Sequence, residues 1–282
     1  MPYFDYLLSC FENGHESLEK SFGHHVHWGY WEEPDQAELS LADFALATEN
    51  LTQLIYGSAR VADGQVILDV GCGFGGTISS LNNHYRDVEL IGVNIDERQI
   101  LRARQRVAPV GGNSVRFQQG DACALPFADN SFDAILAVEC IFHFPSREQF
   151  FKEAYRTLKP GGYLALSDFL LSKELYGIHD LSISQFLTNG FFGSCNVQFT
   201  KDEYQQLSRQ NNFSIEFEKN ITKNTLPTYK FLKSLNNASQ LYKLYHFKNL
   251  GITLTIFLIE LLSKFDLLEY FVFSFRKPLN NS

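Results

Sequence analysis

Residues 66–76 read VILDVGCGFGG, and this stretch leaves little choice of fold. Val66, Ile67 and Leu68 form an apolar, largely β-branched run of the kind a fully buried strand uses. Asp69 closes the run, and glycines follow at 71, 73, 75 and 76. A strand, an acid and a glycine turn into a helix is how a doubly wound α/β sheet makes room for a nucleotide-like ligand. Glycine accepts positive φ and close backbone approach, and the helix offers its N-terminal N–H groups. The spacing Gly71-x-Gly73-x-Gly75 is not the G-x-G-x-x-G that seats a pyrophosphate. An acid ahead of the first glycine repels phosphate and suits a positively charged amino-acid moiety. Taken alone, such a triplet fits a bare tight turn equally well.

The downstream chain separates these readings. Residues 88–93 (VELIGV) read as a second buried strand, ending in Asn94-Ile95-Asp96, where such folds place a group on ribose hydroxyls. Asp121 follows a third strand expected over 115–118, and a fourth is expected over 132–138. LKPGG (158–162) closes a helix and starts a fifth strand expected to end at Asp168. As a set these motifs resemble the class I S-adenosylmethionine-dependent methyltransferases, over roughly Val61 to Phe169. The resemblance implies an α/β, Rossmann-like, seven-stranded, mostly parallel sheet with helices on both faces, an N-terminal helical cap and helical lid insertions. It implies S-adenosylmethionine as cofactor. Asp69 and Gly71 would meet its methionine amino end, and Gly73 and Gly75 would shape the turn. Ile95 would pack against the adenine with Ala122 and Val138 beside it, and Asp121 would accept the adenine amino hydrogen, its other reading being a helix cap. Asn94 stands where the family usually has a carboxylate on the ribose, so the charge-assisted bonds of that acid are missing.

At 282 residues, with 45% hydrophobic and 20% charged residues, the chain can bury a core. We read a single domain: residues 1–60 as the cap, 61–169 as the cofactor-binding core, and 170–282 as lid, helical insertion and closing strands. A net charge of −8, from 24 Lys+Arg against 32 Asp+Glu, argues against a nucleic-acid substrate. Five cysteines (10, 72, 123, 140, 195) without a C-x-x-C read as reduced thiols in a cytoplasmic protein. The start lacks the pattern of a secretion signal. The longest apolar run, 250–262, contains Glu260 and falls short of the ~20 residues a bilayer needs. The expected partner is a small-molecule acceptor, with no nucleic acid, no transmembrane segment and no metal; a homodimer is compatible with the resemblance.

Taken in order, residues 3–22 carry apolar positions at helical spacing with Gly14 as a break, which predicts one or two short helices. Residues 24–31 (HHVHWGYW) invite a metal reading, yet histidines on one loop without a carboxylate make a poor zinc set. In many small-molecule methyltransferases a similar H-x-G-Y-W segment folds over the pocket, which makes His27, Tyr30 and Trp31 candidate acceptor contacts; the bland reading is an aromatic plug. Ser40 and Asp96 read as helix caps, and the Arg and Gln residues of 96–107 read as a solvated face. Residues 169–199 read as a lid without a clear strand. Thr200 with Glu203 is a capping box, 213–217 alternates as a sixth strand, residues 224–268 are helical, and 270–275 form the last strand.

Chemistry is expected past the carboxyl end of the fourth strand, in AVECIFHFPS (137–146). His143 there is either a satisfied core histidine or a general base for a hydroxyl. Glu139-x-x-x-His143 and the later Asp168-Phe169 are similar to the sugar O-methyltransferases of macrolide and indolocarbazole biosynthesis. In those relatives the histidine and aspartate act at the acceptor hydroxyl, and Phe142 beside His143 in this chain is a candidate acceptor contact. Glu139 is a second catalytic candidate, because an acid hereabouts stabilises a carbocation in terpenoid C-methylating relatives; it reads equally as a contact near the cofactor. O-methylation of a hydrophobic secondary metabolite therefore leads. N-methylation of an amine or indole, C-methylation of an isoprenoid or quinol, and a non-catalytic partner protein are the alternatives.

Overall fold

The computed structural model describes residues 2–176, 193, 195–238 and 248–279. Much of the expected lid and part of the late helical stretch lie outside the described residues. Seven strands form one sheet: β1 (Val66–Val70), β2 (Glu89–Asn94), β3 (Ser114–Gln119), β4 (Phe132–Ala137), β5 (Leu158–Leu171), β6 (Ser214–Asn220) and β7 (Leu268–Arg276). Their order is β3-β2-β1-β4-β5-β7-β6. β7 runs antiparallel to both neighbours, whereas the other pairings are parallel. The strand order reverses between β1 and β4, and that crevice is where an open α/β sheet binds its ligand.

Period-two alternation sends successive side chains to opposite faces. Ile67, Ala134, Leu136 and Ala165 join one apolar cluster with α3 (Leu41–Ser58), α4 (Gly76–His84) and α5 (Glu97–Arg106). Leu68, Ile135, Ala137, Leu164 and Leu166 join the other with α6 (Arg147–Thr157) and, beyond the four-residue α7 (Lys173–Tyr176), α8 (Lys201–Gln210). The caps form as the side chains dictate: Ser40 accepts from Asp43 N–H, Asp96 from Arg98 N–H, and Thr200 with Glu203 closes a full capping box. The closing helices are α9 (Thr222–Thr225), α10 (Pro227–Ala238) and α11 (Lys248–Lys264). No helix among the described residues is long and apolar enough to cross a membrane.

Two expectations need correction. The fifth strand does not end at Asp168. It runs on to Leu171 because β7 pairs along its whole length, down to Leu171 with Leu268. The polar side of α5 is not simply solvated. The first helices, α1 (Pro2–Glu12) and α2 (Glu16–Phe22), lie over it: Arg102 and Arg106 pair with Glu19, Arg98 pairs with Asp5, and Arg102 stacks on Phe11 at 4.4 Å.

Candidate active site

At the end of β1 the chain turns through Gly71 at φ +72°, where a Cβ would stand 2.7 Å from that of Cys140. Gly73, at φ +51°, meets nothing closer than 3.9 Å, so a side chain there would fill open space in the cleft. Gly75 caps α4 and lies outside the cavity wall. The cleft, about 890 Å³ including its open mouth, is of ligand size. It gathers Asp69, Gly71, Gly73, Asn94, Ile95, Asp121, Ala122, Val138, Glu139, His143 and His27. It does not gather Asp168, Phe142, Tyr30 or Trp31.

Asp69 is 1% exposed, and its Oδ2 has no hydrogen-bond partner. Burial alone raises its carboxyl well above the usual range. A buried acceptor left in this state is costly unless a ligand supplies the donor. The cleft lining includes three acids and no lysine or arginine among the described residues, which favours a cationic ligand over a phosphate. Asn94 donates Nδ2–H to Gln99 Oε1 at 2.9 Å and accepts from Asp96 N–H at 3.2 Å. Gln99 is fully buried with its Nε2 unpartnered at the same cleft. Sequence reasoning missed it by assigning it to a solvated face. The available signal was its place in the first turn of a helix that follows a ligand-side strand. Asp121 accepts from Cys123 N–H at 2.8 Å, forming a local turn at the rim, while Ile95, 65% exposed, offers an uncovered apolar side chain. An orphaned carboxylate, an unpartnered amide donor, an open glycine floor and an apolar rim together fit S-adenosylmethionine.

The other wall is built from β4 and the N-terminal segment. Glu139 sits at φ +49°, buried, and its Oε2 accepts from Trp28 N–H at 2.9 Å and Tyr270 O–H at 2.6 Å. Burial pushes its carboxyl up to about 8. His143 closes a single 3-10 turn, Ile141–His143, and its ring stacks against Tyr3 at 6.1 Å. Phe142 packs between His143 and Phe169, at 4.5 and 5.9 Å, rather than facing the cleft.

Asp168 is completely buried. Arg147 Nη2–H and Nε–H donate to its Oδ2 at 2.8 and 3.0 Å, and Tyr204 O–H donates at 2.5 Å. Burial pushes this carboxyl up, and Arg147 and Tyr204 pull it back. It is a structural ion pair off the cleft, because β5 continues past it and α6 and α8 cover it. The aromatic segment is likewise mostly plug. Trp31 is buried against Phe44 and Phe231 and donates its indole N–H to Asp43 at 3.0 Å. Tyr30 accepts from Lys219 at 2.8 Å. His27 touches the cleft, yet it donates Nδ1–H to Trp28 O at 2.9 Å, and its Nε2 lies 3.1 Å from both His25 and Thr52. Burial, with His25 beside it, holds it neutral, down to about 3. Among the described residues no group of His, Cys, Asp and Glu could hold a metal ion.

A family profile described as a methyltransferase domain matches residues 68–166. The chain is 29% identical over 263 residues to 27-O-demethylrifamycin SV methyltransferase of Amycolatopsis mediterranei (strain S699), covering 93% of each chain. It is 31% identical to the O-methyltransferase resE of Aspergillus sclerotiorum over 215 residues, 74% of this chain and 75% of that one. The fold matches the mycolic acid cyclopropane synthase CmaA1, complexed with SAH and CTAB, with a TM-score of 0.79 and 18% identity, over 98% of this chain and 99% of that one. It also matches the [4+2]-cyclase SpnF, with a TM-score of 0.74 and 21% identity over 96% of each chain.

Proposed function

Because this chain belongs to the class I S-adenosylmethionine-dependent methyltransferases of the natural-product kind, we propose that it methylates a hydroxyl of a small, largely apolar secondary metabolite, with His143 as general base. S-adenosylmethionine is the cofactor, and when bound it supplies a methyl group already activated on a sulfonium. The chain's own task is then to hold, orient and deprotonate. Asp69 would take the ammonium end beside Gly71 and Gly73. Asn94 and Gln99 would offer amide groups to the ribose, and Asp121 and Ile95 would receive the adenine with Ala122 and Val138 beside them. His143 would take the hydroxyl proton, a contribution of roughly 10²–10⁴-fold for a positioned base. The observation that carries the reading is that His143 lines the same cleft as the orphaned Asp69. The O-methyltransferase names among the relatives support the choice of oxygen. A sterol 24-C-methyltransferase of Gibberella zeae, 38% identical over 122 residues, favours carbon instead. That reading leans on Glu139, whose Oε2 already takes two donors.

Labelled S-adenosylmethionine and a fractionated metabolite extract, followed by mass spectrometry of the product, give the test. A new O-methyl group is expected, and His143→Ala should then lose about 10²–10⁴ in turnover with cofactor affinity nearly unchanged. Full turnover by His143→Ala would remove the base assignment, and an N- or C-methyl product would remove the hydroxyl.

A further inference from the structure

The residue set against His143 is a cysteine. Cys195 is buried, and its Sγ lies 3.5 Å from His143 Nδ1. Hydrogen bonds at the neighbouring Asn196 tie the pair together. The N–H of Asn196, next after Cys195, donates to the carbonyl of Phe142, the residue before His143, at 2.7 Å. The Asn196 carbonyl in turn accepts from Arg147 Nη2 at 2.7 Å. Arg147 is held by Asp168 and Tyr204 and lies over the Phe199 ring at 4.7 Å. A continuous run of contacts thus leads from the buried Asp168 through Arg147 and Asn196 to the sulfur beside the imidazole.

A neutral imidazole carries one N–H and one lone pair, and whatever engages one nitrogen decides what the other can do. With the sulfur set against Nδ1, the nitrogen that a hydroxyl would have to meet is Nε2, which is buried in the ligand-free fold. We propose that Cys195 is a positioning residue for His143: its sulfur accepts the Nδ1 proton, the neutral ring carries its lone pair on Nε2, and Asp168 with Arg147 holds the sulfur in place through Asn196. This rests on the reading of His143 as the base. It also gives Asp168 an influence on the transfer site without a place in it. Burial pushes the Cys195 thiol up to about 12, so the ring meets a neutral thiol. Sulfur is a weak acceptor. A carboxylate in its place would add charge to orientation, whereas the thiol supplies orientation alone.

The test reads the tautomer directly. Uniformly ¹⁵N-labelled protein saturated with S-adenosylhomocysteine is examined by histidine ring correlation at a pH above imidazole titration, and His143→Gln identifies the His143 signals. The wild-type ring should carry its proton on Nδ1. Cys195→Val, close in volume and without an acceptor, should move the proton to Nε2. It should also lower turnover on the acceptor identified as above by about tenfold, with S-adenosylhomocysteine affinity unchanged. Cys195→Ser should keep the proton on Nδ1. A wild-type ring protonated on Nε2 overturns the proposal by itself, so the outcome stands even if Cys195→Val does not fold. A Cys195→Val ring identical to wild type overturns it too. The turnover of His143→Gln judges the base reading separately, because full activity there would remove the base whatever the tautomer.

Discussion

Asp69 on β1 and Asp168 on β5 are both fully buried carboxylates on the sheet's parallel strands, and the chain treats them in opposite ways. Asp168 is met by Arg147 and by Tyr204, so its charge is matched within the protein. Each leaves one oxygen without a hydrogen-bond partner, but Asp69 has only burial acting on its carboxyl. The first arrangement is architecture: removing it harms the fold. The second is an unfinished one that a bound cation completes. Sequence position at a strand end does not tell the two apart; the supply of partners does.

The largest expected effect comes from breaking the completed pair. Asp168→Asn leaves Arg147 buried without its counter-charge, and breaking such a pair costs about 3–5 kcal/mol. Urea unfolding of the ligand-free protein measures this, and a loss under about 1 kcal/mol would mean that the pair is solvated after all. Asp69→Asn should do the reverse. The ligand-free protein should melt no lower than wild type, while S-adenosylmethionine affinity falls roughly 10–100-fold, the worth of a charge-assisted hydrogen bond. The sign with pH follows. A carboxyl raised in the fold binds a proton that the unfolded chain has released, so its contribution to stability is full below its ordinary value and lost as pH rises through the raised one. Cofactor affinity should therefore strengthen with rising pH in wild type and lose that slope in Asp69→Asn, as titration calorimetry would show; equal slopes would break the comparison.

The smallest effect belongs to His27, a buried group satisfied in its neutral form. Its value is depressed to about 3, so the unfolded chain takes up a proton that the fold refuses. The stability it contributes is present above its ordinary value of about 6.5 and is lost as pH falls toward the depressed one. Between pH 7 and 5 the ligand-free protein should lose about 1–2 kcal/mol from this group. His27→Gln should flatten that part of the melting profile, and an unchanged profile would mean that His27 takes up its proton in the fold at the same pH as in the unfolded chain.

The parallel sheet, the glycine turn and the caps at Ser40, Asp96 and Thr200 were legible because each is written in consecutive residues: apolar period, helix cap, acid before glycine. What was not legible depends on partners far along the chain. Gln99 reads as a surface residue until its amide is seen bound to Asn94 at the cleft. Tyr30 and Trp31 read as pocket contacts until Lys219 and Asp43 claim them. Asp168 reads as a strand end until β7 extends β5 past it. Each error has the same cause: local pattern gives the element, whereas burial and partner choice are set by the tertiary neighbours.

The seat of Trp28 has a consequence for how the molecule is made. Its backbone N–H binds Glu139, which also holds Tyr270 on the final strand. Gly29 binds Thr228, and Trp31 N–H binds the carbonyl of Asn224. Segments emerge from a ribosome in order from the N-terminus. The segment around Trp28 is therefore synthesised well before Asn224, Thr228 and Tyr270, and its resting place does not exist until those later residues have followed it out.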